Sequence, residues 1–197
     1  MSVLLCVPTY ETITTECYKA LWELESPEPL MFDAVKGYDC ALARISACNK
    51  ARKYGAEYLL MVDSDTVLPP DALANMLEHD ADVVLGYYQW RKRKKGHTCL
   101  ARLGTWGAWH MASDFHALAD AGVTSIEVQG GGLGCCLLRV SVLDKLPKPW
   151  FRWVVTPDGT ETGEDVFFCN LLRDANVPIY ADTRVACGHA YREVHEL

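Results

Sequence analysis

The feature that most constrains the fold is a short apolar run, Tyr58–Val62, which ends directly in Asp63-Ser64-Asp65. A run of large apolar side chains predicts a strand buried on both faces, which is typical of a parallel sheet covered by helices. In such sheets ligands bind beyond the carboxyl ends of the strands. Asp63 and Asp65 are two positions apart, so they point to the same side of a strand. The sequence therefore predicts two carboxylates at a ligand-binding edge.

Two adjacent carboxylates repel each other and are costly to desolvate, and a divalent cation removes both penalties. Oxygen ligands of this kind suit Mg²⁺ or Mn²⁺, so we interpret Asp63 and Asp65 as metal ligands. The alternative is structural: one Asp caps a turn before Pro69-Pro70 and the other faces solvent. These residues alone leave both interpretations open.

Composition limits the classes of protein to consider. With 197 residues, half of them apolar, the chain is long enough for a real core in one domain. A net charge of −7 argues against a surface devoted wholly to nucleic acid or membrane. The nine Cys include no CxxC pair, which argues against structural zinc and indicates a reducing compartment. The start of the chain has no leader-like pattern, so we expect a cytoplasmic protein without signal peptide or membrane span.

Predicted strands and helices alternate through the first ninety residues. The candidate strands in this part are residues 3–7, 30–32, 58–62 and 82–88. One helix is expected over residues 39–54, with Leu42, Ile45 and Ala51 on its apolar face. This alternating order predicts an α/β fold of the Rossmann-like, doubly wound kind, a mostly parallel sheet flanked by helices.

The second half is less regular but contains a convincing helix over residues 164–174. Its short strand candidates are residues 98–103, 125–129, 135–139, 178–181 and 184–187. No linker interrupts the chain, so we expect a single domain, residues 1–197. Within it, residues 1–90 should bind a nucleotide and residues 91–197 an acceptor.

Two loops could bring backbone close to a ligand. Val7-Pro8-Thr9-Tyr10-Glu11 ends the first strand, where free N–H groups and a Thr hydroxyl suit a base or phosphate, although a helix N-cap explains it equally well. Gly130-Gly131-Gly132-Leu133-Gly134 precedes a strand and lacks the Lys-Ser/Thr ending of a P-loop, which argues against nucleoside triphosphate hydrolysis. Its glycines either admit a ligand or form a turn.

Polar side chains late in the chain also have two interpretations. Glu164 and Asp165 open a helix, where acidic residues ordinarily complement the helix dipole. A carboxylate there can also take a proton from an attacking hydroxyl. His189 follows a strand and is either an ordinary polar residue or the imidazole that completes the metal site.

The acceptor half also contains a basic cluster and several tryptophans. The basic cluster consists of Arg91, Lys92, Arg93, Lys94 and Lys95. It is either a solvated loop or a grip for an anionic acceptor or the donor's phosphates. The tryptophans on predicted loops are Trp106, Trp109, Trp150 and Trp153. Some could stack on a sugar or nucleobase, and we expect at least two to pack in the core.

Taken in order, these motifs resemble the GT-A class of nucleotide-sugar glycosyltransferases, close to the enzymes of the "glycosyl transferase family two" type. The resemblance extends over nearly the whole chain. Asp63-Ser64-Asp65 is similar to the DxD motif, and Gly163-Glu164-Asp165 to the Glu-Asp motif. The first-strand segment, the glycine-rich segment and the late His189 also match in order. Arg44 lies where many members have an Arg-Asn pair, with Ile45 here in place of Asn.

The resemblance implies a metal-dependent enzyme that moves a sugar from a nucleotide diphosphate to an acceptor hydroxyl. Mn²⁺ or Mg²⁺ would be held by Asp63, Asp65 and His189. The catalytic residues would be Asp165 and Glu164 beside it; Asp165 would be the base in an inverting enzyme, or would only orient the acceptor in a retaining one. The residues implied to contact the nucleotide sugar are Thr9, Tyr10, Glu11, Arg44, Asp63 and Ser64.

Two other classes remain as alternatives. A phosphatase of the haloacid-dehalogenase type would use Asp63 as nucleophile and Asp65 as general acid. That family places its motif on the first strand, and its later Lys and acidic pair fit Lys145 and Glu164-Asp165 poorly. The other alternative is a non-catalytic module that binds a nucleotide or nucleic acid through the basic cluster, which the acidic net charge argues against.

Overall fold

Seven strands form one central sheet in the computed structural model, which describes residues 2–9, 12–37, 39–89, 96–155 and 158–190. In chain order the strands are β1 (Val3–Thr9), β2 (Leu30–Lys36), β3 (Tyr58–Val62), β4 (Thr66–Val67), β5 (Val83–Tyr87), β6 (His97–Ala101), β7 (Trp109–Met111), β8 (Ser125–Val128), β9 (Gly130–Gly131), β10 (Cys135–Arg139), β11 (Val154–Val155), β12 (Glu161–Thr162), β13 (Ile179–Ala186) and β14 (Gly188–His189). The helices are α1 (Thr15–Glu23), α2 (Cys40–Lys53), α3 (Ala72–Leu77), α4 (Ala112–Asp120) and α5 (Glu164–Asp174), with a 3₁₀ turn at Val140–Asp144.

The central sheet is mostly parallel, as the sequence predicts. Its spatial order is β2-β1-β3-β10-β5-β13-β8, and the small strands form three separate pairings at its margins. Five of the seven strands run in one direction, whereas β10 and β8 are antiparallel to their neighbours. The α/β expectation is therefore confirmed, with two antiparallel insertions that the sequence did not indicate.

The period-two alternation of the central strands creates a core on each face of the sheet. In β3, Leu59 and Met61 belong to the cluster that packs under α2 and α5, whereas Tyr58, Leu60 and Val62 belong to the cluster under α1 and α3. All five side chains are buried, which is why the strand reads as a continuous apolar run. No helix within the described ranges is long and apolar enough to cross a membrane.

Helix α2 confirms a predicted helix, with Ala51 buried and Ile45 packed against the core as expected, and corrects the predicted apolar face at Leu42 alone. The Asp39 side chain accepts a hydrogen bond from the Leu42 N–H at 3.1 Å, and Gly55 follows the helix with a φ of +67°. Leu42, expected on the apolar face, is 57% exposed. The side chains buried on this helix are Ala41, Ala43, Arg44, Ala47, Cys48 and Ala51. Small side chains allow α2 to pack close to the sheet, so the face that contains the alanines is buried and the larger Leu42 is not.

Strand β10 brings the second half of the chain to the carboxyl end of β3. It lies between β3 and β5, with Cys135 opposite Val62 in the register. The glycine-rich segment before it therefore arrives beside the end of β3, where the Asp63 N–H donates to the Gly134 carbonyl at 3.0 Å. Residues 178–181 and 184–187, predicted as two strands, largely form the single strand β13.

We expect Leu60→Ala to lower the free energy of unfolding by about 2–5 kcal/mol, because Leu60 is fully buried in the centre of the sheet. Leu103→Ala is the matched control: Leu103 is 48% exposed, so the same truncation should cost less than about 1 kcal/mol. Urea denaturation followed by circular dichroism measures both. Equal losses in the two variants would contradict the packing described for β3.

Candidate functional site

A crevice lies beyond the carboxyl ends of β1 and β3, and we call it the β1–β3 crevice. Its volume is about 360 Å³. The residues that line it are Pro8, Thr9, Gly37, Asp39, Cys40, Ala43, Arg44, Asp63, Ser64 and Asp65. Four residues expected at the nucleotide, Thr9, Arg44, Asp63 and Ser64, are thus together. The other two, Tyr10 and Glu11, lie outside the described residues.

The floor of the crevice is a buried ion-pair network centred on Arg44. Its guanidinium donates to Asp63 Oδ1 at 2.8 Å, to Glu164 Oε1 at 3.4 Å and to the Leu133 carbonyl at 3.3 Å. The Arg44 side chain is only 4% exposed. Burial disfavours the charged guanidinium, but the carboxylates of Asp63 and Glu164 outweigh burial and raise the pKa of Arg44. The network links α2, β3, the glycine-rich segment and α5 through one permanent charge.

Asp65 and His189 meet at the rim of the crevice, although they are far apart in the chain. Strand β14 pairs with β4, and the Ala190 N–H donates to the Asp65 carbonyl at 2.8 Å. His189 Nε2 lies 3.4 Å from Asp65 Oδ1, and its Nδ1 lies 3.3 Å from the Gln89 carbonyl. The Tyr88 ring packs edge-on against the imidazole, with centroids 5.1 Å apart. The imidazole is therefore fixed on three sides.

The three predicted metal ligands do not converge on one point. Asp63 Oδ1 is directed to Arg44, whereas Asp65 and His189 face each other. In the part of the chain that the structure describes, no group of three or more His, Cys, Asp or Glu side chains is arranged to hold a metal ion. The pair of Asp65 and His189 could contribute two ligands, and the metal site stays a prediction.

The two carboxylates at the start of α5 have different surroundings. Glu164 is buried and ion-paired with Arg44. Asp165 Oδ1 accepts the N–H of Val166 at 2.7 Å, and a Cβ at Gly163 would lie only 2.7 Å from the same oxygen. Burial raises the pKa of Asp165 and the charge of Glu164 adds to this, while the Val166 N–H and Arg44 act in the opposite direction. Glycine at position 163 thus leaves room for the Asp165 carboxylate. Because its pKa is raised, this carboxylate takes up a proton more readily than an ordinary Asp.

Asp165 opens into a second cavity of about 540 Å³, which we call the tryptophan cavity. The residues that line it are Trp106, Gly107, Trp109, Gly131, Gly132, Trp153, Glu161, Thr162, Gly163, Asp165 and Val166. Trp106 is held by its indole N–H, which donates to Asn170 Oδ1 at 2.9 Å. Trp150, by contrast, is 1% exposed and packs in the core. Three of these four tryptophans therefore line the tryptophan cavity, and Trp106 also packs against the core.

The glycine-rich segment is explained by close packing of backbone as well as by the cavity. A Cβ at Gly131 would collide with the Cys99 carbonyl, and a Cβ at Gly132 with the Tyr88 hydroxyl. The same hydroxyl accepts the Gly134 N–H at 3.3 Å. Glycines here let the segment run between β6 and Tyr88 while Gly131 and Gly132 form part of the cavity wall. Close packing is thus a reason for these glycines that the sequence did not indicate, and their approach to a ligand stays a prediction.

Several residues of the site carried no signal in the sequence. Gln89 contributes only a backbone carbonyl to His189, and Leu133 only a carbonyl to Arg44. Backbone acceptors leave no mark on residue type. Glu161 joins the tryptophan cavity through the short β11–β12 pairing, which is too brief for a periodic pattern. The basic cluster, residues 91–95, lies outside the described residues.

Comparison with known proteins finds similarity in structure and not in sequence. No family model and no curated protein matches the chain. The solved structure of A197 from STIV has a TM-score of 0.67 at 19% identity, over 98% of this chain and 87% of that one. GalNAc-T7, crystallised with UDP, GalNAc and Mn²⁺, has a TM-score of 0.58 at 12% identity, over 97% of this chain. The match covers 44% of GalNAc-T7, so this chain spans less than half of it. The shared feature is a GT-A-like α/β fold.

We expect Arg44→Met to lower the free energy of unfolding by about 3–5 kcal/mol, because Asp63 and Glu164 would keep their charges without a partner. Arg52→Met is the matched control: the Arg52 and Asp144 side chains of its ion pair are 42% and 61% exposed, so this pair should contribute no more than about 1 kcal/mol. Urea titrations of both variants test this, and a loss in Arg44→Met as small as that in Arg52→Met would contradict it.

Proposed function

We propose that the protein is a glycosyltransferase that moves a sugar from a nucleoside diphosphate donor to an acceptor hydroxyl. The observation that carries the proposal is the arrangement of two cavities on either side of the Arg44 network. One contains Asp63-Ser64-Asp65, and the other contains Asp165. The fold shared with GalNAc-T7, a structure that contains UDP, GalNAc and Mn²⁺, supports the same assignment.

The donor would bind in the β1–β3 crevice. Thr9 and Ser64 supply polar groups at the carboxyl ends of β1 and β3, where α/β sheets bind ligands. The Asp63 side chain remains 33% exposed despite its ion pair, so it stays accessible to a ribose or sugar hydroxyl. Arg44 lies beneath it and holds that carboxylate in one orientation. Binding would therefore require little rearrangement of the floor of the crevice.

Asp65 and His189 are suited to hold Mn²⁺ or Mg²⁺ together with the donor's diphosphate. Both neighbours of the imidazole can only accept, so a neutral ring can donate to the Gln89 carbonyl or to Asp65 but not to both; with its proton on Nδ1 toward Gln89, its Nε2 lone pair would face Asp65 Oδ1. Two acceptors at 3.4 Å repel unless a proton or a cation lies between them. Two ligand atoms at about 2.1 Å from one ion are about 3.0–3.4 Å apart, which fits the pair. The bound cation would offset the charge on the leaving nucleoside diphosphate.

Asp165 would take the proton from the attacking hydroxyl. Its carboxylate lines the tryptophan cavity, and its raised pKa makes it a stronger base than an ordinary Asp. Glu164, predicted as catalytic, would act through Arg44 instead, because it is buried and bound to the guanidinium. It would then be a positioning residue that fixes the start of α5. We therefore propose an inverting reaction, because that is the mechanism in which Asp165 acts as base.

We expect a nucleoside diphosphate to bind the wild-type protein only with Mn²⁺ or Mg²⁺ present, and Asp65→Asn to weaken that binding by about tenfold or more, equivalent to about 1.4 kcal/mol. Isothermal titration calorimetry with UDP, GDP, ADP and CDP measures this and identifies the base. Asp144→Asn, a change at an exposed carboxylate remote from the crevice, is the control and should bind as wild type.

Failure of all four nucleotides to bind in the presence of Mn²⁺ would remove the donor site and with it the proposal. Turnover of a generic aryl phosphate in that case would favour the phosphatase alternative. Salt-sensitive DNA binding that survives Asp65→Asn would favour the nucleic-acid-binding module.

Asp165→Asn should lower turnover by about 10²–10⁴-fold while nucleotide binding persists, because only the proton acceptor is lost. The wild-type enzyme should lose activity as pH falls through the raised pKa of Asp165, above the ordinary value of 3.8. Steady-state kinetics as a function of pH measure both effects.

The same substitution has a predicted effect on stability. A carboxylate whose pKa is raised by folding favours the folded state at low pH, and this contribution disappears as pH rises through the folded pKa. At pH 7 the ionised Asp165 is therefore unfavourable, and Asp165→Asn should leave the free energy of unfolding unchanged or raise it. A clearly destabilised Asp165→Asn protein would indicate a structural role in place of a catalytic one.

A further inference from the structure

The tryptophan cavity is lined by both aromatic and acidic side chains, a combination that sugar transfer by itself does not require. Its volume of about 540 Å³ lies within the range of about 300–1,000 Å³ that is usual for small-molecule sites. Three indole rings contribute to its wall, from Trp106, Trp109 and Trp153. Two carboxylates, Glu161 and Asp165, lie among them. Aromatic faces and acidic acceptors therefore surround the same space.

We propose that this cavity binds a neutral carbohydrate, so that the acceptor is a sugar hydroxyl; the second clause rests on the proposed function. A sugar ring has an apolar face made of C–H groups, which packs on an indole, and a rim of hydroxyls, which donate hydrogen bonds to carboxylates. The wall of the cavity offers both complements. Asp165 then lies where the reacting hydroxyl would be presented.

The charges around the cavity disfavour an anionic acceptor. Among the described residues that line it, none is Lys or Arg, and two are acidic. Arg102 and Arg152, which lie close to these tryptophans in the chain, are engaged elsewhere: Arg102 binds Asp114 at 2.7 Å, and Arg152 stacks over the Phe167 ring at 4.7 Å. Among the described residues that line the cavity, a phosphate or carboxylate would meet Glu161 and Asp165 and no cation. A neutral polyol has no such penalty.

The tryptophans differ in how firmly they are held, which defines two parts of the cavity. Trp106 is fixed by Asn170 and packs against the core, so it forms a rigid wall. Trp153 is 57% exposed and precedes β11, which pairs with β12 in a two-stranded ribbon. A large aromatic side chain exposed at a cavity is costly to leave in water and gains by covering a ligand. Trp153 is therefore the side chain whose loss should affect binding without affecting the fold.

The test is direct binding of carbohydrates to the full chain without donor. The probes are methyl glycosides of glucose, galactose, mannose and N-acetylglucosamine, with glucose 6-phosphate, glucuronic acid and a thymidine dinucleotide as anionic comparators. Saturation-transfer NMR and tryptophan fluorescence titrations report binding. The variants are Trp153→Ala, Trp153→Phe and Trp22→Ala. The last is the matched control, because Trp22 is 82% exposed on α1 and does not line the cavity.

We expect at least one neutral glycoside to bind saturably, and Trp153→Ala to weaken it by about tenfold, the usual consequence of losing an aromatic stacking partner. Trp153→Phe should retain most of the affinity, and Trp22→Ala should match wild type. The proposal is overturned if no neutral glycoside binds, if Trp153→Ala binds as tightly as wild type, or if an anionic comparator binds more tightly than every neutral one. Circular dichroism establishes that each variant is folded.

The outcome is separable from that of the proposed function, because donor binding is measured in the other cavity. A protein that binds a nucleoside diphosphate but no glycoside would retain the function and lose this inference. A protein that binds a glycoside but no nucleotide would retain a carbohydrate site and lose the transferase proposal.

Discussion

A single buried guanidinium holds the candidate site together. Arg44 is almost fully removed from water, and such a charge is tolerated only because Asp63, Glu164 and the Leu133 carbonyl accept its hydrogen bonds. These groups come from four separate segments of the chain. The ion pairs therefore do more to fix relative positions than to add net stability, since desolvation offsets much of their attraction. Through Arg44 the network links Asp63, which lines the β1–β3 crevice, to the start of α5, whose Asp165 lines the tryptophan cavity.

The antiparallel position of β10 gives this network its partners. By entering the sheet between β3 and β5, β10 delivers the glycine-rich segment to the end of β3. The nucleotide-binding half predicted for residues 1–90 and the acceptor-binding half predicted for residues 91–197 are thus interleaved in the central sheet. Both cavities draw on this junction, one through Asp63 and the other through Gly131 and Gly132.

Local pattern predicted the central strands, the longer helices and the mostly parallel sheet, but not the antiparallel position of β10 or the ion pairs of Arg44. The bounds of β3 and α5 follow from continuous apolar residues and helical spacing, and the structure has them as expected. Asp63 and Asp65 were expected to share one ion, but Arg44, nineteen residues before Asp63, draws that carboxylate away. Leu42 was predicted to be buried because it is large and apolar. Alanines allow α2 to approach the sheet more closely, so Leu42 is left exposed. Contacts with distant backbone, such as that of His189 with the Gln89 carbonyl, could not be predicted, because every residue type has a backbone carbonyl.

The ribbon that follows Trp153 has an evolutionary consequence. Strands β11 and β12 pair with each other and belong to none of the larger described sheets, yet Trp153 and Glu161 both line the tryptophan cavity. Sequence changes there need not disturb the packing of the main core. A lineage could therefore exchange this two-stranded ribbon and change what the tryptophan cavity binds while inheriting the β1–β3 crevice and the Arg44 network intact. Diversification of such proteins would begin in the β11–β12 ribbon, while the central sheet and the Arg44 network stayed unchanged.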